Sequence, residues 1–184
     1  MEKWIKTYPK IFSKQECSGF VEYFNIQEYN KNLTHTNLKD HRHFDEINLN
    51  DFRDETLDTQ MAIYDRFKYV LQKYKKETEL HEHSWPENFR FEEIRIKRYR
   101  MGRGNFLDHV DVGSYDSAMR FLVLFVYLND VEEGGGTEFP ELDLTVTPKC
   151  GTMLLFPSTW TYLHRGNTPI SNDKYILGSY LHYV

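Results

Sequence analysis

Cysteine is scarce, with only Cys17 and Cys150 in 184 residues. Two thiols are too few for a disulfide framework, so two reduced thiols in a reducing compartment are expected. Long apolar runs are also missing. The longest unbroken one, Phe121 to Leu128, is far shorter than the roughly 20 residues a membrane-spanning helix needs. The opening Met1-Glu2-Lys3-Trp4 carries neither the apolar stretch nor the small-residue cleavage site of a secretory signal. No membrane partner and a cytoplasmic location are therefore expected. Excess positive charge is lacking as well. A net charge of −5 argues against nucleic acid as the main partner, because a phosphate backbone wants a basic face. One local basic cluster, Arg95, Lys97, Arg98, Arg100 and Arg103, reads as the polar face of a strand and the turn after it.

What is present suffices for a core. Leu, Ile, Val and Phe supply 48 residues, above the roughly 20% below which chains tend to be disordered. Aromatics make up 16%, so Phe and Tyr must carry much of the packing. The length fits a single domain over 1–184. Ser13-Lys14-Gln15-Glu16 fits a capping box and predicts a short helix over about 14–25. Residues 30–55 are polar and irregular and read as loop. Leu57, Met61, Tyr64, Phe67, Leu71 and Tyr74 recur every three or four residues, which predicts an amphipathic helix to about Lys76. A helical part over about 1–85 thus precedes a strand-rich core over about 90–184. Expected strands cover 91–100, 119–129, 142–147, 152–156, 161–164 and 174–183, with turns at Glu133-Gly134-Gly135-Gly136 and Lys149-Cys150-Gly151. Helices followed by short strands indicate α+β, with helices packed on a sandwich or barrel. A double-sheet jelly roll is one such architecture.

His109-Val110-Asp111 is the main chemical candidate. Alternation along a strand would put Leu107, His109 and Asp111 on one side. H-x-D alone is weak, and His43-Phe44-Asp45 is a second match. That pair, like His41-x-His43 and His81-x-His83, falls in polar stretches and reads as solvated histidine. A third ligand is available at His164, on an aromatic stretch with Trp160 and Tyr162. Two histidines and one carboxylate make the facial triad of non-haem Fe(II) oxygenases. Zinc is the rival metal, but it prefers four-coordinate sites richer in His or Cys. Lys174 heads an otherwise apolar strand. A lysine entering a core costs several kcal/mol, on the order of the charge's desolvation, unless an anion meets it. Beside a triad, a dicarboxylate bridging metal and ammonium explains it best.

The stretch from Arg98 to Tyr183 resembles the catalytic domain of the prolyl 4-hydroxylase-like 2-oxoglutarate/Fe(II) dioxygenases. The matching pieces are R-Y-R-M-G (98–102), H-V-D (109–111), F-V-Y-L-N-D-V (125–131), E-G-G-G-T-E-F-P (133–140), P-K-C-G-T-M-L-L-F-P (148–157), H-R-G-N-T-P (164–169) and K-Y-I-L (174–177). The resemblance implies a double-stranded β-helix (jelly-roll, cupin-like) core with the N-terminal helices on one sheet. It implies Fe(II) held by His109, Asp111 and His164, and 2-oxoglutarate held by Lys174, Tyr127 and Tyr99. Strict alternation sets Tyr99 opposite Ile94 and Ile96, so that strand must be bulged or buried on both faces. Ascorbate is a candidate supporting reductant. Arg165, Trp160, Tyr115 and Arg120 are candidates for the substrate mouth. Loops at 30–55, 79–90 and 112–118 are candidates to clamp a substrate. The implied reaction hydroxylates an unactivated C–H bond and releases succinate and CO2. A prolyl residue in a proline-rich peptide or protein is the leading substrate. A free amino acid or other small molecule is the alternative, and a non-catalytic metal-binding module the third reading.

Overall fold

The computed structural model describes residues 1–38 and 41–184. Chain order begins β1 (Lys6–Tyr8), α1 (Lys14–Tyr29), β2 (Thr34–Leu38), β3 (Arg42–Asn48) and α2 (Arg53–Glu77). It continues β4 (Phe89–Phe91), β5 (Arg95–Tyr99), β6 (Asn105–His109), β7 (Arg120–Tyr127) and β8 (Thr137–Phe139). It ends β9 (Leu144–Val146), β10 (Met153–Pro157), β11 (His164–Gly166) and β12 (Lys174–Tyr183). None of the helices described is long and apolar enough to cross a membrane.

Ser13 starts α1 as its sequence announces. Its hydroxyl accepts from the Glu16 amide at 3.2 Å, and the Glu16 carboxylate accepts from the Ser13 amide at 2.7 Å. The helix runs four residues past the expected end, where Gln27 is buried and accepts from Asn32 Nδ2 at 2.6 Å. In α2 the buried stripe is Thr56, Gln60, Ile63, Phe67, Val70, Leu71 and Tyr74. Leu57 and Met61 of the apparent pattern are exposed. Thr56 and Gln60 replace them inside because both donate to the Leu49 carbonyl, at 2.9 and 3.0 Å.

The strands pair antiparallel throughout, in the order β1-β10-β7-β12-β5-β3-β6-β11-β8-β9, with β2 on β3 and β4 on β12. β8 and β10 lie near opposite ends of that order, yet the Phe139 and Phe156 rings sit 4.9 Å apart. The sheet is therefore rolled over on itself, with a small apolar core inside the roll. Ile5, Val123, Tyr127, Phe139, Leu154, Phe156 and Tyr162 form it. A larger core fills the space between the outer face and the two helices. Period-two alternation sorts the residues between the two. On β7, Leu122, Leu124 and Val126 face the helices while Val123, Phe125 and Tyr127 face inward. On β12, Leu177 and Leu181 face the helices while Ile176 and Tyr180 face inward.

Residues 30–55 are not a loop. Their described part holds the β2–β3 pair, a 3-10 turn over Leu49–Phe52 and the start of α2, and β3 bridges β5 and β6. The strand is polar because its outward carboxylate is used for ion pairing. Asp45 is buried and accepts from Arg98 at 2.6 Å, Arg100 at 3.0 Å and His35 at 2.6 Å. His43-Phe44-Asp45 is thus a strand, and its aspartate belongs to a structural network. His41 opens that strand region and is exposed, and His81 and His83 are exposed beside a short 3-10 turn. β1 and β3 also carry the N-terminal part of the chain into the sheet, so helices and core are not separated along the sequence.

Candidate active site

β6 and β11 pair so that His109 and His164 stand directly opposite each other. β6 stops at His109, and the bend after it carries Asp111. The carboxylate reaches the imidazoles because the chain turns, not through strand alternation, and Leu107 is left exposed. Ligand atoms of His109, Asp111 and His164 all lie within 4.8 Å of one another. Each imidazole is oriented from behind. His109 Nδ1 donates to the Leu107 carbonyl at 2.7 Å, and His164 Nδ1 donates to the Tyr162 carbonyl at 3.0 Å. Both Nε2 lone pairs then point at a common space. Burial, followed by the neighbouring His164 ring, pushes His109 down to about 3, so it is a neutral donor at ordinary pH. Phe106 stacks on its ring at 3.3 Å between centroids.

Asp111 Oδ2 is buried and has no hydrogen-bond partner among the described residues. A lone carboxylate oxygen left bare beside two bare imidazole nitrogens is a costly arrangement. A divalent cation removes that cost, and two imidazoles with one carboxylate suit Fe(II). The residues present therefore fit the metal.

An inner cavity of about 60 Å³ opens from the triad into the roll, lined by Tyr99, Thr137, Lys174 and Ile176 among others. Lys174 is 2% exposed. Its ammonium donates to the Gly135 carbonyl at 2.9 Å and lies 4.4 Å from the Tyr99 ring. The glycine turn delivers that carbonyl, since Gly134 and Gly135 take φ of +71° and +69°. No carboxylate pairs with Lys174 among the described residues. Burial alone pulls its pKa down to about 7. Tyr99 faces this cavity while Ile94 and Ile96 pack under the helices, so β5 is buried on both faces.

Tyr127 sits one layer back. It is fully buried, and its hydroxyl donates to Thr137 Oγ1 at 2.8 Å. Thr137, which sequence reasoning passed over, lines the cavity in its place. With its oxygen already accepting, the Thr137 hydroxyl hydrogen is available to an anion beside Lys174.

On its outer side the triad faces a groove of about 460 Å³. The β2–β3 hairpin supplies Thr36, Phe44 and Glu46, and residues 113–117 supply Ser114 and Asp116. Residues 79–90 take no part in that lining. Arg120 lines the groove. Arg165 does not reach it. β11 alternation turns its guanidinium away from His164, toward Glu138 and Asp108. The expected strand over 161–164 begins only at His164, so Trp160 sits in a turn and is 80% exposed. Tyr115 is 94% exposed. Neither lines the groove. Tyr180 was also missed. Its hydroxyl donates to Asp111 Oδ1 at 2.9 Å, and burial followed by the Asp111 charge holds the phenol well above its usual range, so it stays a donor.

The sequence profile described as the 2OG-Fe(II) oxygenase superfamily matches residues 94–182, the segment that holds the triad, Lys174 and Tyr180. Over 107 residues the chain is 31% identical to prolyl 4-hydroxylase subunit alpha-1 of Gallus gallus, a match covering 50% of this chain and 20% of that relative. The fold is similar to that of a viral collagen prolyl hydroxylase from Paramecium bursaria Chlorella virus-1 in complex with 2OG. That match has TM-score 0.76 and 21% identity, covering 98% of this chain and 97% of the other. A Pseudomonas putida prolyl-4-hydroxylase matches at TM-score 0.72 and 14% identity, over 98% and 93%. A Trichoplax adhaerens prolyl hydroxylase, solved with a hypoxia inducible factor peptide fragment, matches at 0.70 and 12%, over 98% and 84%.

Proposed function

We propose that this chain is a 2-oxoglutarate- and Fe(II)-dependent oxygenase that hydroxylates a prolyl residue in a peptide or protein. One observation carries the reading: a buried, carboxylate-free ammonium, Lys174, shares a cavity with a bare two-histidine, one-carboxylate triad. In this reading His109, Asp111 and His164 hold the iron. Lys174 and the Thr137 hydroxyl take the distal carboxylate of 2-oxoglutarate, and Tyr99 walls the slot. Fe(II), 2-oxoglutarate and dioxygen supply the oxidising chemistry, with succinate and CO2 as products. The chain's own contribution is orientation and exclusion of water. Phe106 and the backbone carbonyls fix the imidazoles, and Ile176, Val123 and Phe125 keep the inner cavity dry.

The outer groove would receive the substrate, with the β2–β3 hairpin and residues 113–117 as its walls. A proline-rich peptide suits it, because an extended polyproline strand brings little ordering entropy to binding. Two free thiols, Cys17 and Cys150, suit a reducing compartment such as the cytoplasm. The test is succinate release with Fe(II), 2-oxoglutarate and ascorbate, with and without a proline-rich peptide, alongside the peptide's mass. The expected result is stimulated succinate and one added oxygen on the peptide, both abolished in His164→Ala. Succinate without peptide modification would redirect the substrate to small molecules. No succinate under any condition would favour a non-catalytic module.

A further inference from the structure

Six residues after Lys174, Tyr180 lies on the same face of β12 and reaches the outer side of the triad. Its hydroxyl ties Asp111 Oδ1 at 2.9 Å. The other oxygen, Oδ2, is unpartnered and stands 3.4 Å from His164 Nε2. One oxygen of the carboxylate is therefore engaged and the other is bare.

The tie is itself braced. The Arg120 guanidinium lies 3.9 Å over the Tyr180 ring. Glu92 clamps that guanidinium with two hydrogen bonds, at 2.8 Å from Nε and 2.7 Å from Nη2. Glu92 is fixed in turn by Arg95 at 3.1 Å and His182 at 3.0 Å. Arg120 also donates to the Asp111 backbone carbonyl at 3.4 Å. Strands β7 and β12 thus hold the Asp111 turn from two sides, although the turn lies beyond the end of β6.

We propose that Tyr180 is a positioning residue that fixes the Asp111 carboxylate so that Oδ2 alone is presented to the metal. This rests on the reading of the triad as a metal site. A carboxylate with two free oxygens can take two coordination positions, whereas one whose second oxygen accepts a phenol hydrogen bond takes one. Holding Oδ1 back keeps a position clear for cosubstrate and dioxygen. It also spares the carboxylate the loss of rotational freedom on binding, since the side chain is already set.

Mn(II) alone, titrated into metal-free protein, tests this. Tyr180→Phe keeps the ring and its Arg120 stack and removes only the hydroxyl. Its Mn(II) affinity should fall by about 10–100-fold, the usual cost of losing an outer partner of a metal ligand. The melting temperature of the metal-free protein should hold. Arg120→Lys, which keeps the phenol and loosens its brace, should show a smaller fall in the same direction. Wild-type affinity, or a tighter one, in Tyr180→Phe would overturn the proposal. So would a lowered melting temperature with unchanged Mn(II) affinity, which marks a structural role only. His164→Ala separates the two levels. If wild type binds Mn(II) no better than His164→Ala, the metal-site reading fails and this inference fails with it. If wild type binds well and Tyr180→Phe binds equally well, only the inference fails.

Discussion

Among the described residues, Arg98 and Lys174 are buried cations on opposite faces of the same sheet, and they are treated differently. Arg98 on β5 faces the helices and is 4% exposed. Its guanidinium meets Glu28 at 2.6 and 2.7 Å and Asp45 at 2.6 and 3.2 Å. Burial would lower its pKa, but Glu28 and Asp45 outweigh that and raise it above the usual range. Lys174, paired with Tyr99 across β12 and β5, faces the cavity and meets one carbonyl and one aromatic ring. Burial alone acts on it, and pulls it down to about 7. A satisfied buried charge fastens elements together, while an unsatisfied one is a binding site for the opposite charge. The first cluster joins α1, β3 and β5. The second stands beside the triad with no carboxylate paired to its ammonium among the described residues.

Exchanging each cation for methionine breaks the comparison in opposite directions. Lys174→Met should weaken 2-oxoglutarate binding by more than roughly 100-fold, as expected when one partner of a buried charge pair is lost. Its melting temperature should be unchanged or higher, because a desolvated charge has been removed, and Mn(II) affinity should be retained. Arg98→Met should do the reverse. It leaves Glu28 with Arg100 alone and Asp45 with Arg100 and His35, and should cost about 3 kcal/mol of stability by denaturant titration. A Lys174→Met protein that is strongly destabilised, or an Arg98→Met protein that is not, would erase the distinction.

Acid sharpens it at smaller cost. Burial would raise the Asp45 carboxyl, but hydrogen bonds from His35, Arg98 and Arg100 bring it down to about 2. A carboxyl depressed on folding contributes stability that is complete above its unfolded value near 4 and is lost as pH falls toward 2. That contribution is about 2–3 kcal/mol, and Asp45→Asn should flatten this part of the pH–stability curve. Lys174 works at the other end. Its folded pKa of about 7 lies below the ordinary lysine value of 10.5, so the folded protein binds fewer protons between them. Stability should rise with pH across that window, and Lys174→Met should remove the rise.

The site was more legible in the sequence than the architecture around it. His109, Asp111, His164 and Lys174 stand out because each is a polar residue set where the surrounding pattern is apolar or tightly turned. Period two alone would also have found Tyr180, which shares a face with Lys174 and Ile176, and would have turned Arg165 away from His164. Thr137 gave no such signal, since a threonine after three glycines reads as turn. The β2–β3 hairpin was hidden because its alternation is masked by Asp45 and Glu46, whose burial depends on Arg98, Arg100 and Lys97 some fifty residues away. Its partners were in plain sight as a basic cluster, but nothing local says that such a cluster turns inward. The place of Asp111 was right for the wrong reason, since a bend after β6 does what alternation was expected to do.

Calorimetric titration of 2-oxoglutarate into Mn(II)-loaded protein at pH 8, in buffers of different ionisation enthalpy, probes the role of Lys174 with the fewest intervening steps. Lys174 is largely neutral there when the slot is empty and charged when a carboxylate fills it. Binding should therefore take up about one proton per 2-oxoglutarate, and Lys174→Met should show neither that uptake nor tight binding. Equal affinity in wild type and Lys174→Met, with no proton taken up by either, would contradict the assignment of Lys174 as the anchor of the cosubstrate.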